Sequence, residues 1–241
     1  GKSRPMNRRE KQRQVREAKQ QAERQRQQRR QIFGRLGLFV ALPALALLVV
    51  WVLATQGPTY SPVEVAPNDH IRGDPETPVS IVVYTDFQCP ACATENQLMA
   101  RIWSRIEDRA HLISRHYPLT ASNPHAWTAA LYAEAAGRQG RFWEMHDFLF
   151  ANQAAWSFLP EVETEFESYA ENLDIDIEQL RADVASEAVI AKVRDDQRGG
   201  NSAGVRSTPA VFINGERVAQ LTGARILDRV AEQYQRATAG S

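Results

Sequence analysis

The chain opens with a stretch that has almost nothing to bury. Arg and Gln dominate residues 4–31, Val15 and Ala18 are among the few apolar side chains, and a helix there would be solvated on every face. The pattern then inverts. Residues 36–54, LGLFVALPALALLVVWVLA, carry no charge over a length sufficient to cross a hydrocarbon core. Pro43 is compatible with such a helix because neighbouring backbone adjusts, and Trp51 stands near an end, where aromatic rings favour the interface. Residues 36–56 therefore read as a transmembrane anchor preceded by a basic arm, 1–35. Residues 57–75 hold Pro58, Pro62, Pro67 and Pro75 with few core-type side chains and read as an extended linker.

From residue 76 the pattern is that of an α/β domain reaching to residue 239. The β-branched run 79–85 is apolar almost throughout, as expected for a strand buried on both faces. Leu98, Ile102, Trp103 and Ile106 then recur at helical spacing over 91–107, with Pro90 acceptable in the first turn. A second strand follows at 111–117, and a right-handed crossover lays it parallel to the first. Asn123 as cap and Pro124 at the first helical position open a helix over 125–136, which Gly137 and Gly140 end. Further helices are predicted at 142–152, 162–172, 177–185 and 186–197, making a helical insertion at about 122–204. After Gly199, Gly200 and Gly204 a strand returns at 210–213. Asn214-Gly215 signals a hairpin into 217–219, and a helix over 224–236 closes the domain.

Charge adds topology to this picture. The formal net charge is zero, yet thirteen basic residues against three acidic ones fall in the first 35 positions, leaving the remainder acidic. Arg29, Arg30 and Arg35 precede the apolar stretch, whereas Glu64 is the one charge in 55–65. By the positive-inside rule the N-terminus is cytoplasmic and the domain lies across the inner membrane, outside the cytoplasm. A cleaved signal peptide ending at Val52-Leu53-Ala54 competes with the anchor, but the apolar stretch is long for one. The basic arm brings no stacking aromatic and no nucleic-acid fold motif, so no nucleic-acid partner is assigned.

Two cysteines exist, Cys89 and Cys92, at the predicted junction of strand and helix. Cys89 falls at the helix N-terminus, where unpaired N–H groups and the helix dipole stabilise a thiolate. Cys92, one turn inside, is expected to be buried and to act as the resolving partner. Redox chemistry is the leading reading, and three others stay open: a structural disulfide, which would restrict so short a loop little; half of a zinc site, although no further ligand pair is evident; and two inert core thiols. No metal or cofactor is assigned. Asp86 and Glu95 flank the motif and would serve either as proton carriers for Cys92 or, more simply, as acids favourable to the helix dipole. The aromatic residues of the insertion read chiefly as core, and the histidines as structural.

Four motifs in order resemble the DsbA-type thiol:disulfide oxidoreductases of the thioredoxin superfamily: TDFQCPAC at 85–92, HYPL at 116–119, FWEMH at 142–146 and VRSTPAVFING at 205–215. The resemblance covers residues 70–238 and implies a thioredoxin fold with an inserted helical domain. It makes Cys89 the exposed nucleophile and Cys92 its buried partner, a redox-active pair. Pro209 would follow a cis peptide bond opposite them, and Thr208 would present backbone to a substrate chain beside Pro90 and Ala91. It further implies catalysis of disulfide formation outside the cytoplasm, with unfolded or reduced secreted proteins as clients. Reoxidation would fall to a quinone-linked membrane protein of the DsbB or vitamin K epoxide reductase type. Two departures stand out, Ser207 where the family often has Gly, and Pro-Ala between the cysteines without the His of the most oxidising members. A reductase or isomerase on the same fold, and a membrane-anchored chaperone or client-binding module, are the alternatives.

Overall fold

A computed structural model describes residues 16–17, 19–21, 23–26, 41–51 and 59–239, and the chain divides into two units, 1–57 and 58–241. In the first unit residues 41–51 are helical, with Leu42, Leu45, Leu47, Val50 and Trp51 exposed. Among the described residues no helix is long and apolar enough to cross a membrane. The rest of the expected anchor, 36–40 and 52–56, and most of the basic arm lie outside the described residues.

The second unit is built on a five-stranded sheet in the order β1-β3-β2-β4-β5. β2 (Val79–Thr85) and β3 (Ala110–His116) run parallel through the centre, joined by α1 (Pro90–Ile102) and a 3-10 turn at Trp103–Arg105. Between β3 and β4 (Ala210–Ile213) lie α2 (Ala126–Arg138), α3 (Phe142–Ala151), α4 (Gln153–Trp156), α5 (Glu163–Asn172), α6 (Ile177–Val184) and α7 (Glu187–Ser202). β4 pairs antiparallel with β2, the Asn214-Gly215 turn leads to the two-residue β5 (Glu216–Arg217), and α8 (Gly223–Thr238) closes the chain.

β2 is buried along its whole length because both faces are covered. Val79, Ile81 and Val83 join Leu112, Val211 and Ile213 beneath α1 and α8, while Val82 and Tyr84 join Ile113 and Phe212 on the opposite face. The period of two divides one apolar run between two cores. The helices of the insertion form a third core around Trp156, Phe166, Met145 and Leu149, which absorbs most of its aromatic residues. Trp127 packs instead against Leu131, Val189 and Val193, and Phe158 is 91% exposed.

Three expectations need correction. Residues 59–75 are not a free linker: β1 (His70–Arg72) pairs antiparallel with β3 as an edge strand, and Ala66 is buried. The cause is Arg115, a buried cation on β3 whose partners all come from this segment or the sheet. Its Nη2 donates to Asp69 Oδ2 at 2.8 Å, Nη1 to the Ser61 carbonyl at 2.9 Å and to the Tyr84 hydroxyl at 3.2 Å. A proline-rich composition cannot announce a strap held by one distant arginine. Second, Asn123 does not cap α2; its amide donates to Asp86 Oδ2 at 2.7 Å instead, and the helix starts at Ala126. Third, Gly137, Gly199 and Gly200 break nothing. α7 continues through both of its glycines because other groups press close there: a Cβ on Gly199 would stand 2.8 Å from the Tyr60 carbonyl oxygen, and one on Gly200 2.7 Å from the Tyr117 ring and 3.0 Å from that of Tyr84.

Replacing Arg115 with Ala leaves the Asp69 carboxylate buried beside Lys192 without its bidentate partner. The expected cost is about 3–5 kcal/mol of unfolding free energy. Urea titration measures it, and limited proteolysis should show cleavage within 59–72 ahead of the rest of the domain.

Candidate active site

The C-terminal end of β2 delivers the chain into a loop whose every buried polar group is tied. Asp86, 1% exposed, accepts from the Gln88 N–H at 2.8 Å, the Leu119 N–H at 2.9 Å and the Asn123 amide. Its role is to join the loop after β2 to the loop after β3. Gln88 reaches the insertion twice, accepting from the His125 N–H at 2.7 Å and donating to the Ser157 carbonyl at 2.8 Å. Gln153 returns the contact, donating to the carbonyls of Phe87 at 2.7 Å and Cys89 at 3.0 Å.

Cys89 is the N-cap of α1, in extended conformation, with Pro90 at the first helical position, where its missing N–H is of no consequence. No side chain caps the helix and no acid occupies its first turn, so the positive end of the dipole faces the Cys89 sulfur alone. Cys89 is half-buried, Pro90 and Ala91 are exposed, and Cys92 is wholly buried; both cysteines are free thiols. The Cys92 thiol, hydrogen-bonding to the Cys89 sulfur, lowers the Cys89 pKa to about 5 from 9.0, assisted by the N–H groups of Cys92 and Ala91 and opposed by partial burial. Burial pushes the Cys92 thiol far up. The pair is thus split, one thiolate and one thiol within one helical turn.

The register of β4 against β2, Tyr84 opposite Ala210, sets Thr208 and Pro209 beside this loop. The Thr208–Pro209 bond is cis, and both residues are half-buried. Cys89 Sγ lies 3.6 Å from the Thr208 carbonyl oxygen. A thiol would donate there, but a sulfur that loses its proton near pH 5 is an acceptor at neutral pH. The Thr208 hydroxyl is buried without a hydrogen-bond partner, and its presence favours the Cys89 thiolate. A substrate sulfur approaching Cys89 meets an activated, half-exposed nucleophile with an extended backbone segment alongside, a geometry suited to thiol–disulfide exchange.

The sequence-derived residues Cys89, Pro90, Ala91, Cys92, Thr208 and Pro209 thus converge on one surface. Neither flanking acid favours the helix dipole as expected: Asp86 ties loops together, and Glu95, beyond the first turn, points inward with its pKa raised to about 8 by burial. Sequence reasoning missed Gln88 and Gln153, whose glutamines carry no periodic or motif signal. His70 and His116 both hydrogen-bond to Glu134, and His125 donates to the Leu159 carbonyl at 2.8 Å. Among the described residues no group of three or more His, Cys, Asp or Glu is placed to hold a metal ion.

Comparison with known proteins adds kinship to this geometry. A Na(+)/H(+) antiporter NhaA 1 of Salinispora arenicola is 38% identical over 149 residues, which is 62% of this chain and 22% of the antiporter. The NhaA 1 of Mycobacterium sp. (strain KMS) is 35% identical over 202 residues, 78% of this chain and 32% of the relative. The chain therefore spans a third or less of these relatives. Among solved structures, Wolbachia pipientis alpha-DsbA1 superposes with a TM-score of 0.65 at 18% identity, covering 73% of this chain and 96% of that one. Oxidised BdbD from Bacillus subtilis gives 0.64 at 18% identity, covering 74% and 100%. At that identity the likeness establishes the fold, including the inserted helices. The family model described as thioredoxin matches residues 65–230, from the strap before β1 into α8, and the chain accordingly belongs to the thioredoxin family.

Proposed function

We propose that this protein is an extracytoplasmic thiol:disulfide oxidoreductase that oxidises the cysteines of secreted or envelope proteins. The observation that carries the reading is the asymmetry of the two sulfurs, with Cys89 stabilised as an accessible thiolate and Cys92 held neutral and buried. In the oxidised form a client thiolate attacks Cys89 Sγ, the disulfide breaks, and its electron pair leaves on Cys92. The client's second thiolate then attacks its own sulfur in the mixed disulfide and expels the Cys89 thiolate. The client departs with a disulfide and the protein with two reduced cysteines. A stabilised Cys89 thiolate is a good leaving group and favours the reduced protein, which makes the disulfide an oxidant. The solved structures named for DsbA1 and BdbD, which share the fold, support this direction.

Reoxidation in this reading is by a quinone-linked membrane protein of the DsbB or vitamin K epoxide reductase type. Anchoring through residues 36–56 in the inner membrane, with the basic arm in the cytoplasm, confines both proteins to one surface and raises their effective concentration. The uncharged composition of 36–54 and the exposed apolar side chains of 41–51 support that placement. So does the kinship with chains named as Na(+)/H(+) antiporters; their transport activity is not carried over, because this chain spans so little of them.

Cys89→Ser should abolish exchange, and an active variant would sink the mechanism. The reduction potential, measured by equilibration against glutathione with thiol trapping, is expected near −120 to −180 mV as an order of magnitude. A value below about −250 mV would instead assign a reductase. The rate of Cys89 alkylation by iodoacetamide should be half-maximal at about pH 5 and level through neutrality, since the thiolate forms as pH rises past that point. In Cys92→Ala, where the donated thiol hydrogen bond is gone, the midpoint should move upward; an unmoved midpoint would show that the helix terminus alone sets it.

A further inference from the structure

The strap and β1 close over a row of buried charges that the redox chemistry does not use. Arg115 pairs with Asp69, Lys192 lies 3.7 Å from Asp69 and 2.7 Å from Asp196, and Asp196 accepts the His116 N–H at 3.0 Å. Glu134 of α2 ends the row, its Oε2 2.7 Å from His70 Nε2 and 3.2 Å from His116 Nε2. Two cations, Arg115 and Lys192, thus face three carboxylates, Asp69, Asp196 and Glu134, each side chain at most 8% exposed. The row is one positive charge short. An unbalanced buried charge is costly, and two histidines meet the one carboxylate of the row that has neither cation beside it.

We propose that His70 supplies the missing charge, binding a proton that makes it an imidazolium at neutral pH and locks β1 onto the domain. The hydrogen bonds decide between the two rings. Glu134 is a carboxylate: burial would raise its pKa, but hydrogen bonds from His116 and His70 hold it far below the usual range. It can only accept, so each Nε2 carries a hydrogen, and a further proton must go to an Nδ1. His116, 1% exposed, has an Nδ1 that is buried without a partner beside the Phe87 and Phe142 rings. A hydrogen there would be unpaired. His70, 18% exposed, instead lines a polar surface pocket with Asn68 and Arg138.

The seat of the His70 ring suits a cation. It stacks on Phe142 with centroids 3.7 Å apart and planes 5° from parallel, and the face of a phenyl ring attracts positive charge. Gly137 of α2 leaves it room, since a Cβ there would stand 2.6 Å from His70 Cε1. The other charged groups nearby are committed elsewhere. Arg72 of β1 pairs with Asp147 of α3 at 2.6 Å, and Arg138 of α2, more than half exposed, reaches Asp183 at 4.0 Å. His146 of α3 is kept neutral by burial.

A proton held by the closed strap and released when it opens makes closure depend on pH. The closed form binds the proton more tightly, so the stabilisation is complete at low pH and is lost as pH rises through the titration of His70. Glu134 has the opposite sense, its contribution being lost only at far more acidic pH, so the range above about pH 6 reports His70. One proton changes the ratio of closed to open by at most about tenfold per pH unit. The strap is thereby a latch that loosens in alkaline surroundings, independently of what Cys89 and Cys92 exchange.

The test is cleavage of the full-length protein by thermolysin within 59–72, each rate divided by that of an unstructured peptide of the same sequence. Between about pH 6 and about pH 9 the wild-type ratio should rise by up to about tenfold per unit. His70→Gln, which keeps a donor for Glu134 but cannot titrate, should give a level profile. Glu95, raised to about 8 by burial, titrates alike in both proteins and cancels in the comparison. His116→Gln should keep the wild-type slope. A wild-type profile parallel to that of His70→Gln, or a slope removed by His116→Gln instead, overturns the assignment. A second measurement needs no variant: nitrogen NMR of the wild-type rings at neutral pH should show both His70 nitrogens protonated and His116 bare at Nδ1. A His70 ring with one bare nitrogen overturns the proposal whatever the variants do.

Discussion

The constraint on which this domain turns is that two sulfurs within one helical turn must have opposite character. Cys89 needs the helix N-terminus, partial exposure and donors; Cys92 needs burial. Both conditions are met by a single placement, the start of α1 directly after a fully buried central strand. The strand fixes the height of the loop, and α1, packed on the sheet through Met99 and Ile102, fixes the tilt of the dipole. Cys92 meanwhile belongs to the core of the helical insertion, together with Phe87 and Trp156. The redox helix is therefore seated between two cores, and neither alone would bury one sulfur while leaving the other at the surface.

What was legible in the sequence was what depends on local pattern. The span 79–85 coincides with β2 because a run that is apolar at every position has only one economical home, a central strand. Cys89 and Cys92 were legible because two thiols three residues apart at a strand-to-helix junction have few other uses. Thr208 and Pro209 came only from the resemblance; nothing in the residue types alone brings position 208 to position 89. What escaped was long-range and polar. Arg115 gathers residues 60–69 onto the sheet by hydrogen bonds to backbone carbonyls, a contact with no sequence period. Glycines 199 and 200 fell outside the predicted helix 186–197 because a glycine that follows a helix and one that lets it approach a backbone carbonyl or a tyrosine ring look the same in sequence.

The electrostatics of the interior follow the same division. Where a charged group is buried with partners, as at Arg115 and Asp69 or Lys192 and Asp196, it organises the strap and the face beneath α7. Asp86, a carboxylate with both oxygens engaged, organises the loops around the cysteines. Glu95 belongs to neither class, being a buried acid without a partner. Two carboxyl groups flank the same motif at nearly the same remove, and only their hydrogen-bond inventory separates a fastener from a chemically idle or chemically active acid.

The double glutamine bridge has a wider meaning for how such a domain diversifies. Gln88 and Gln153 lace the redox loop to the insertion through main-chain carbonyls and an N–H, so they constrain its position and not its side chains. The exposed dipeptide Pro90-Ala91 lies outside that lacing. The domain is thereby modular at the scale of two residues: the tuning element between the sulfurs can vary without disturbing its mounting. The insertion, by contrast, is not a detachable ornament but half of the bracket that holds the reactive turn.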